Sequence, residues 1–110
     1  MSREKGNLAE QKACTYLISQ HFEIIEKNFY AKKLGEIDII AKKDSVYHFC
    51  EVKSGKSYEQ ALDNLSLNKI HKIKQSTLYY LQKKKLNVSF CIDAIIIVDE
   101  DITFLENITL

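Results

Sequence analysis

Glu36-Ile37-Asp38-Ile39-Ile40-Ala41-Lys42-Lys43-Asp44-Ser45-Val46-Tyr47-His48-Phe49-Cys50-Glu51-Val52-Lys53 is the stretch on which the fold turns. Two β-rich runs, Glu36 to Lys42 and Val46 to Lys53, flank a turn at Lys43 to Ser45. If Asp44-Ser45 is a two-residue hairpin connection, Lys43 faces Val46. The same register sets Asp38 across from Glu51 and Glu36 across from Lys53. Facing residues in a hairpin point to one side of the sheet, with Cβ atoms roughly 4.5–5.5 Å apart. Two carboxylates at that range repel unless a cation lies between them. Ile40, Phe49 and Tyr47 share that side, so the acids border an apolar core. A slip of two residues would keep both acids on one face, whereas a slip of one would separate them.

Outward from the hairpin, the chain reads as one α/β unit. Residues 6 to 21 carry Ala9, Ala13, Tyr16 and Leu17 at helical spacing. Phe22 to Tyr30, with Ile24, Ile25 and Phe29, reads as a strand, and Gly35 follows a Lys-Lys-Leu turn. Ser54 to Tyr58 reads as loop. A long helix is predicted from about Ser66, its N-cap, to Lys85, with Ile70, Ile73, Thr77, Leu78 and Leu81 as its apolar stripe. Val88 to Val98 is strongly β-forming, Asp99-Glu100-Asp101 turns the chain, and Ile102 to Leu105 is a last, edge strand. The order is helix, three strands, helix, strand, strand: a mixed α/β fold around one sheet.

With 110 residues, the chain fits a single domain spanning residues 1–110. No stretch approaches the roughly 18 apolar residues of a membrane span. The polar run from Met1 to Gly6 has no apolar h-region, so no secretory signal and no membrane partner are expected. Three cysteines, Cys14, Cys50 and Cys91, are far apart and form no Cys-x-x-Cys. They read as small buried hydrophobes in a reducing cytoplasm rather than as a zinc site or a disulfide framework. His21, His48 and His71 have no ligand spacing, and His48 reads as a satisfied core residue. Asp93 interrupts an apolar strand and is expected to cap or pair locally. Net charge is +1, but no Asp or Glu occurs between Asp63 and Asp93, where Lys69, Lys72, Lys74, Lys83, Lys84 and Lys85 gather. A locally basic segment can meet phosphates; a solvated helix face is the plainer reading. Tyr58, Tyr79 and Tyr80 could stack on bases, although ordinary packing also explains them.

The chemistry lies in charges set among apolar residues. At 100° per residue, Glu10 falls within about 60° of Ala13, Cys14 and Leu17, near the middle of the first helix's apolar stripe. A buried carboxylate needs a partner, either a lysine, a backbone cap, or the Asp38/Glu51 site. Glu51-Val52-Lys53 sets an acid and an ammonium on one face of a strand. Asp38 with this Glu-x-Lys suits phosphodiester hydrolysis. Mg²⁺ takes one or two carboxylates and leaves its other positions to water and phosphate. Such an ion polarises the phosphoryl oxygen and acidifies bound water. A nearby ammonium orients that water or stabilises charge developing on the phosphate.

These residues resemble the PD-(D/E)xK nuclease superfamily, which includes type II restriction enzymes and archaeal Holliday junction resolvases. The closer resemblance is to the YraN-type family of small bacterial proteins, often described as predicted endonucleases. It rests on Gly6-x-x-Ala9-Glu10 with Ala13 and Leu17, Asn28-Phe29, and Gly35-Glu36-Ile37-Asp38-Ile39-Ile40-Ala41. It continues through Phe49-Cys50-Glu51-Val52-Lys53, Lys69 and Phe90-Cys91-Ile92-Asp93. The resemblance implies a restriction endonuclease-like α-β-β-β-α-β core, a mixed sheet flanked by helices. It implies Asp38 and Glu51 as metal ligands, Lys53 as base or charge stabiliser, and Glu10 as an accessory acid and further ligand. Lys69 sits at the family's helix lysine, where it could contact phosphate, with Lys72 and Gln75 further along the same helix. The family usually follows Glu-Val-Lys with a residue and then Arg. Here Ser54-Gly55-Lys56 follows, and Lys56 cannot give arginine's bidentate phosphate contact.

The expected function is a Mg²⁺- or Mn²⁺-dependent DNA endonuclease acting on branched or otherwise structured DNA. The alternative keeps the fold and acids in a nucleic-acid- or partner-binding module with little turnover, and a third reading is a hydrolase of another phosphodiester. A homodimer would suit a resolvase, which needs sites on opposing strands.

Overall fold

The computed structural model describes residues 3–109; Met1 and Ser2, in the polar leader run, and Leu110 lie outside the described residues. The chain order is helix α1 (Arg3–Ser19), strand β1 (Glu23–Tyr30), a 3-10 turn (Lys32–Leu34), β2 (Glu36–Lys43) and β3 (Val46–Ser54). Then come α2 (Tyr58–Asp63), α3 (Leu67–Lys83), β4 (Phe90–Val98) and β5 (Asp101–Leu105). The five strands form one sheet in the order β1-β2-β3-β4-β5. Only β3 and β4 run parallel; the other neighbours are antiparallel. This is a mixed sheet flanked by helices, consistent with a restriction endonuclease-like α+β core. Among the described residues, no helix is long and apolar enough to cross a membrane.

The hairpin forms with the predicted register, pairing Lys43 with Val46 and Ile39 with Cys50. Asp44 and Ser45 both have positive φ, 51° and 68°. Two left-handed residues make the type I′ turn whose twist matches that of the strands, so the register has no slack to slip. Between β1 and β2 the register shifts at Ile24/Glu26, a bulge that leaves Ile25 exposed.

Helices cover both faces of the sheet. Ala9, Ala13, Cys14 and Leu17 of α1 pack on Ile39, Ala41, Cys50, Val52, Ile95 and Ile97. Ile73, Tyr80 and Leu81 of α3 pack on Phe29, Ile37, Ile40, Phe49 and Ile92. Strands buried on both sides lose the alternation of polar and apolar residues, which explains the unbroken buried run from Ile92 to Ile97. Ser66 caps α3, its Oγ accepting from the Lys69 N–H at 3.2 Å, as its position predicts.

Three expectations need correction. The segment after Tyr58 is not left irregular: α2 forms there, capped by Ser57 Oγ, which accepts from the Gln60 N–H at 3.1 Å. On α3, Leu78 is exposed and Tyr80 takes its place inside, edge-on to Phe29 and Phe49 with ring centroids at 4.9 and 5.5 Å. Tyr80 is therefore held by ring packing and is closed to bases. Asp93 does pair, but across the sheet rather than locally.

Candidate active site

Asp38 and Glu51 lie one position beyond Ile39 and Cys50, the last pair of the β2-β3 ladder. Continuing that register brings the two carboxylates face to face. Val52 donates its N–H to Asp38 Oδ2 at 2.8 Å, in place of a strand-to-strand bond. Lys53 Nζ lies 3.1 Å from Glu51 Oε1, and both side chains are mostly shielded from solvent.

The electrostatics follow from burial and like charge. Burial first, then the facing Glu51 carboxylate, pushes Asp38 up to about 7, against the pull of the Val52 N–H and Lys53. Burial also raises Glu51, moderated by Lys53, by a hydrogen bond from Asp38 and by Lys69. The consistent picture is one proton shared by the pair, resting on Asp38 and directed at Glu51. One ammonium does not balance two buried carboxylates.

Glu10 is half-buried on the flank of α1 rather than in the middle of its buried stripe, which runs through Ala9, Ala13, Cys14 and Leu17. Its carboxyl is raised by burial and then by repulsion from Asp38, while a hydrogen bond with the Asn28 side chain opposes the rise. The structure thus brings Glu10 towards Asp38 from the α1 side and Lys69 towards Glu51 from the α3 side. Asn28 (φ 54°) was not singled out by the sequence as a partner; its left-handed backbone is what turns it.

A cleft of about 130 Å³ opens beside Glu51, lined by Gly35, Glu36, Lys69, Lys72 and Ser76 among others. Gly35 has φ +128°, a conformation that side chains rarely adopt. The Ser76 hydroxyl in the cleft wall is fully buried and has no hydrogen-bond partner among the described residues. Gln75, one position earlier on α3, does not line the cleft. Lys56 lies in a different hollow, with Leu8, Ala9, Lys12 and Asp99, and its N–H is bound to Gln60 Oε1 at 2.7 Å. Six of the sequence-selected residues (Glu10, Asp38, Glu51, Lys53, Lys69 and Lys72) thus gather around one end of the sheet. Gln75 and Lys56 do not join them.

The donor set fits a hard divalent ion. Asp38 and Glu51 offer only oxygens, and burial, together with the facing Glu51 in the case of Asp38, raises both carboxyls, so a cation between them would favour their ionised forms.

A mixed sheet between helices, with facing acids at the end of its hairpin, places this chain in the class of restriction endonuclease-like α+β folds. The chain belongs to the uncharacterised protein family UPF0102, the YraN family, whose model matches residues 9–97. It is similar to a UPF0102 protein of Aliarcobacter butzleri, 57% identical over 110 residues, all of both chains. A UPF0102 protein of Sulfurimonas denitrificans is 48% identical over 110 residues, again all of both chains. One of Sulfurovum sp. is 47% identical over 105 residues, covering 96% of this chain and 93% of the relative.

Proposed function

We propose that this protein is a metal-dependent DNA endonuclease that hydrolyses phosphodiester bonds, with branched or structured DNA as its substrate class. The observation that carries this reading is the half-buried, facing pair of Asp38 and Glu51, with Asp38 pushed up to about 7 and Lys53 3.1 Å from Glu51. In this reading Asp38 and Glu51 hold Mg²⁺ or Mn²⁺, with Glu10 as a further, outer acid. Bound there, the ion would polarise a phosphoryl oxygen and acidify a water. Lys53 opposes the rise of the Glu51 carboxyl and presents an ammonium to the charge that develops on the phosphate. Lys69 and Lys72, on the cleft wall, neutralise neighbouring phosphates as point charges. Lys56 faces elsewhere and would add only general attraction.

The test is cleavage of labelled linear, single-stranded and four-way-junction DNA with Mg²⁺ or Mn²⁺. Wild type should cut, and EDTA, Asp38→Ala and Glu51→Ala should each abolish cutting. Salt-dependent DNA binding without any cutting would replace this reading by a binding module. Neither cutting nor binding would overturn both.

A further inference from the structure

A second cluster lies on β3 and β4, outside the carboxylate pair. The parallel register sets His48 beside Cys91 and Cys50 beside Asp93. Residues two apart on a strand share a face, so these side chains occupy one patch under α1. His48 Nδ1 is 2.6 Å from Asp93 Oδ2 and 3.1 Å from Cys91 Sγ. The ligand atoms of His48, Cys91 and Asp93 all lie within 4.8 Å of one another. His48 and Cys91 also line a cavity of about 400 Å³, together with Tyr16, Phe22, Val46 and Phe104.

We propose that His48, Cys91 and Asp93 form a site for a zinc-type divalent ion, with its fourth position open to this cavity. A thiol, an imidazole and a carboxylate suit Zn²⁺ and its neighbours, whereas Mg²⁺ and Ca²⁺ want oxygen alone. Zinc bonds of about 2.0–2.3 Å set tetrahedral donors on the order of 3.5 Å apart. The two His48 contacts, 2.6 and 3.1 Å, are shorter than that, so an ion enters by a small shift of the His48 ring away from Asp93 and Cys91. It binds Nδ1 of the neutral imidazole, whose single proton then sits on Nε2, and displaces the thiol proton of Cys91 to solvent.

The groups are held ready for this. Asp93 is fully buried, and its other oxygen, Oδ1, accepts the Asn107 N–H at 2.9 Å, which aims Oδ2 at the imidazole. Phe22 packs edge-on to the His48 ring at 4.9 Å between centroids. Carboxylates fixed in this way orient metal ligands. Cys50 Sγ, 3.9 Å from Asp93 Oδ2, stays in the α1 core as a neighbour, not a ligand.

Chelator-stripped, full-length protein titrated with Co²⁺ should develop a thiolate-to-cobalt absorption band that saturates at one equivalent of this site, and Zn²⁺ should remove it. Cys91→Ser should abolish the band and weaken Zn²⁺ binding by more than about 100-fold, since loss of even an outer partner costs 10–100-fold. His48→Gln, which keeps a donor towards Asp93, should weaken it similarly. Glu51→Ala should leave the thiolate band unchanged. If Cys91→Ser does not fold, Zn²⁺ should protect Cys91 of the wild type from alkylation. The proposal is overturned by absence of the band, by its survival in Cys91→Ser, or by its loss in Glu51→Ala. Alkylation of Cys91 at the same rate with and without Zn²⁺ would also overturn it.

Discussion

Asp38 and Asp93 are both acids set into one sheet, on β2 and β4 with β3 between them, and they are handled in opposite ways. Asp93 meets an imidazole at 2.6 Å on one oxygen and a backbone N–H at 2.9 Å on the other. Asp38 meets one backbone N–H and then a second carboxylate. The first has a hydrogen-bond partner on each oxygen; the second is repelled by its neighbour and holds a proton up to about pH 7. Burial alone therefore does not mark a reactive acid. What distinguishes the two is whether the fold itself supplies the compensating charge.

The largest expected effect is on stability. In metal-free protein, Asp93→Ala strands a buried imidazole and the Asn107 N–H. Breaking a buried pair from one side costs about 3–5 kcal/mol, measurable by urea denaturation. Asp38→Asn should do the reverse: it keeps an acceptor for the Val52 N–H, ends the repulsion with Glu51, and should stabilise metal-free protein at pH 8 by on the order of 1 kcal/mol. Thermal melts read this as a rise of about 4–8 °C. Destabilisation by both variants would break the comparison.

The pH dependence sharpens it. The ordinary value for Asp is about 3.9, and the folded value of Asp38 is about 7. The folded state binds this proton more tightly than the unfolded chain. Its contribution is full below about pH 4 and is lost as pH rises through 7. The melting temperature of wild type relative to Asp38→Asn should therefore fall between about pH 4 and 7 and then level off. Mg²⁺ at pH 8 should restore it in wild type and leave Asp38→Asn unmoved. The smallest effect is expected at the surface: Lys12→Met breaks a 3.3 Å pair with the exposed Glu100 and should cost under about 1 kcal/mol in denaturant melts.

The parts of this pattern that were legible in the sequence were those set by local geometry. Asp44-Ser45 allows only a tight turn, and a tight turn leaves one register, so the opposition of Asp38 and Glu51 could be read from their positions alone. Helix α2 was missed because its six residues offer too little periodicity. Leu78 and Tyr80 were exchanged because both lie near the edge of one helical stripe. The company of His48, Cys91 and Asp93 could not be read at all. It depends on the parallel pairing of β3 with β4, whose register is set by a crossover rather than by a turn. His48-x-Cys50 and Cys91-x-Asp93 each look unremarkable until the strands are laid side by side.

That parallel joint also orders events in time. The β1-β2-β3 meander closes through short loops, whereas β4 can dock only after α2 and α3 have bridged back across the sheet. Contacts of short sequence separation form at lower entropic cost. The facing acids therefore come together early, and the lysines of α3 arrive late. A chain emerging in sequence order sets Asp38 opposite Glu51 before the cleft wall beside them exists.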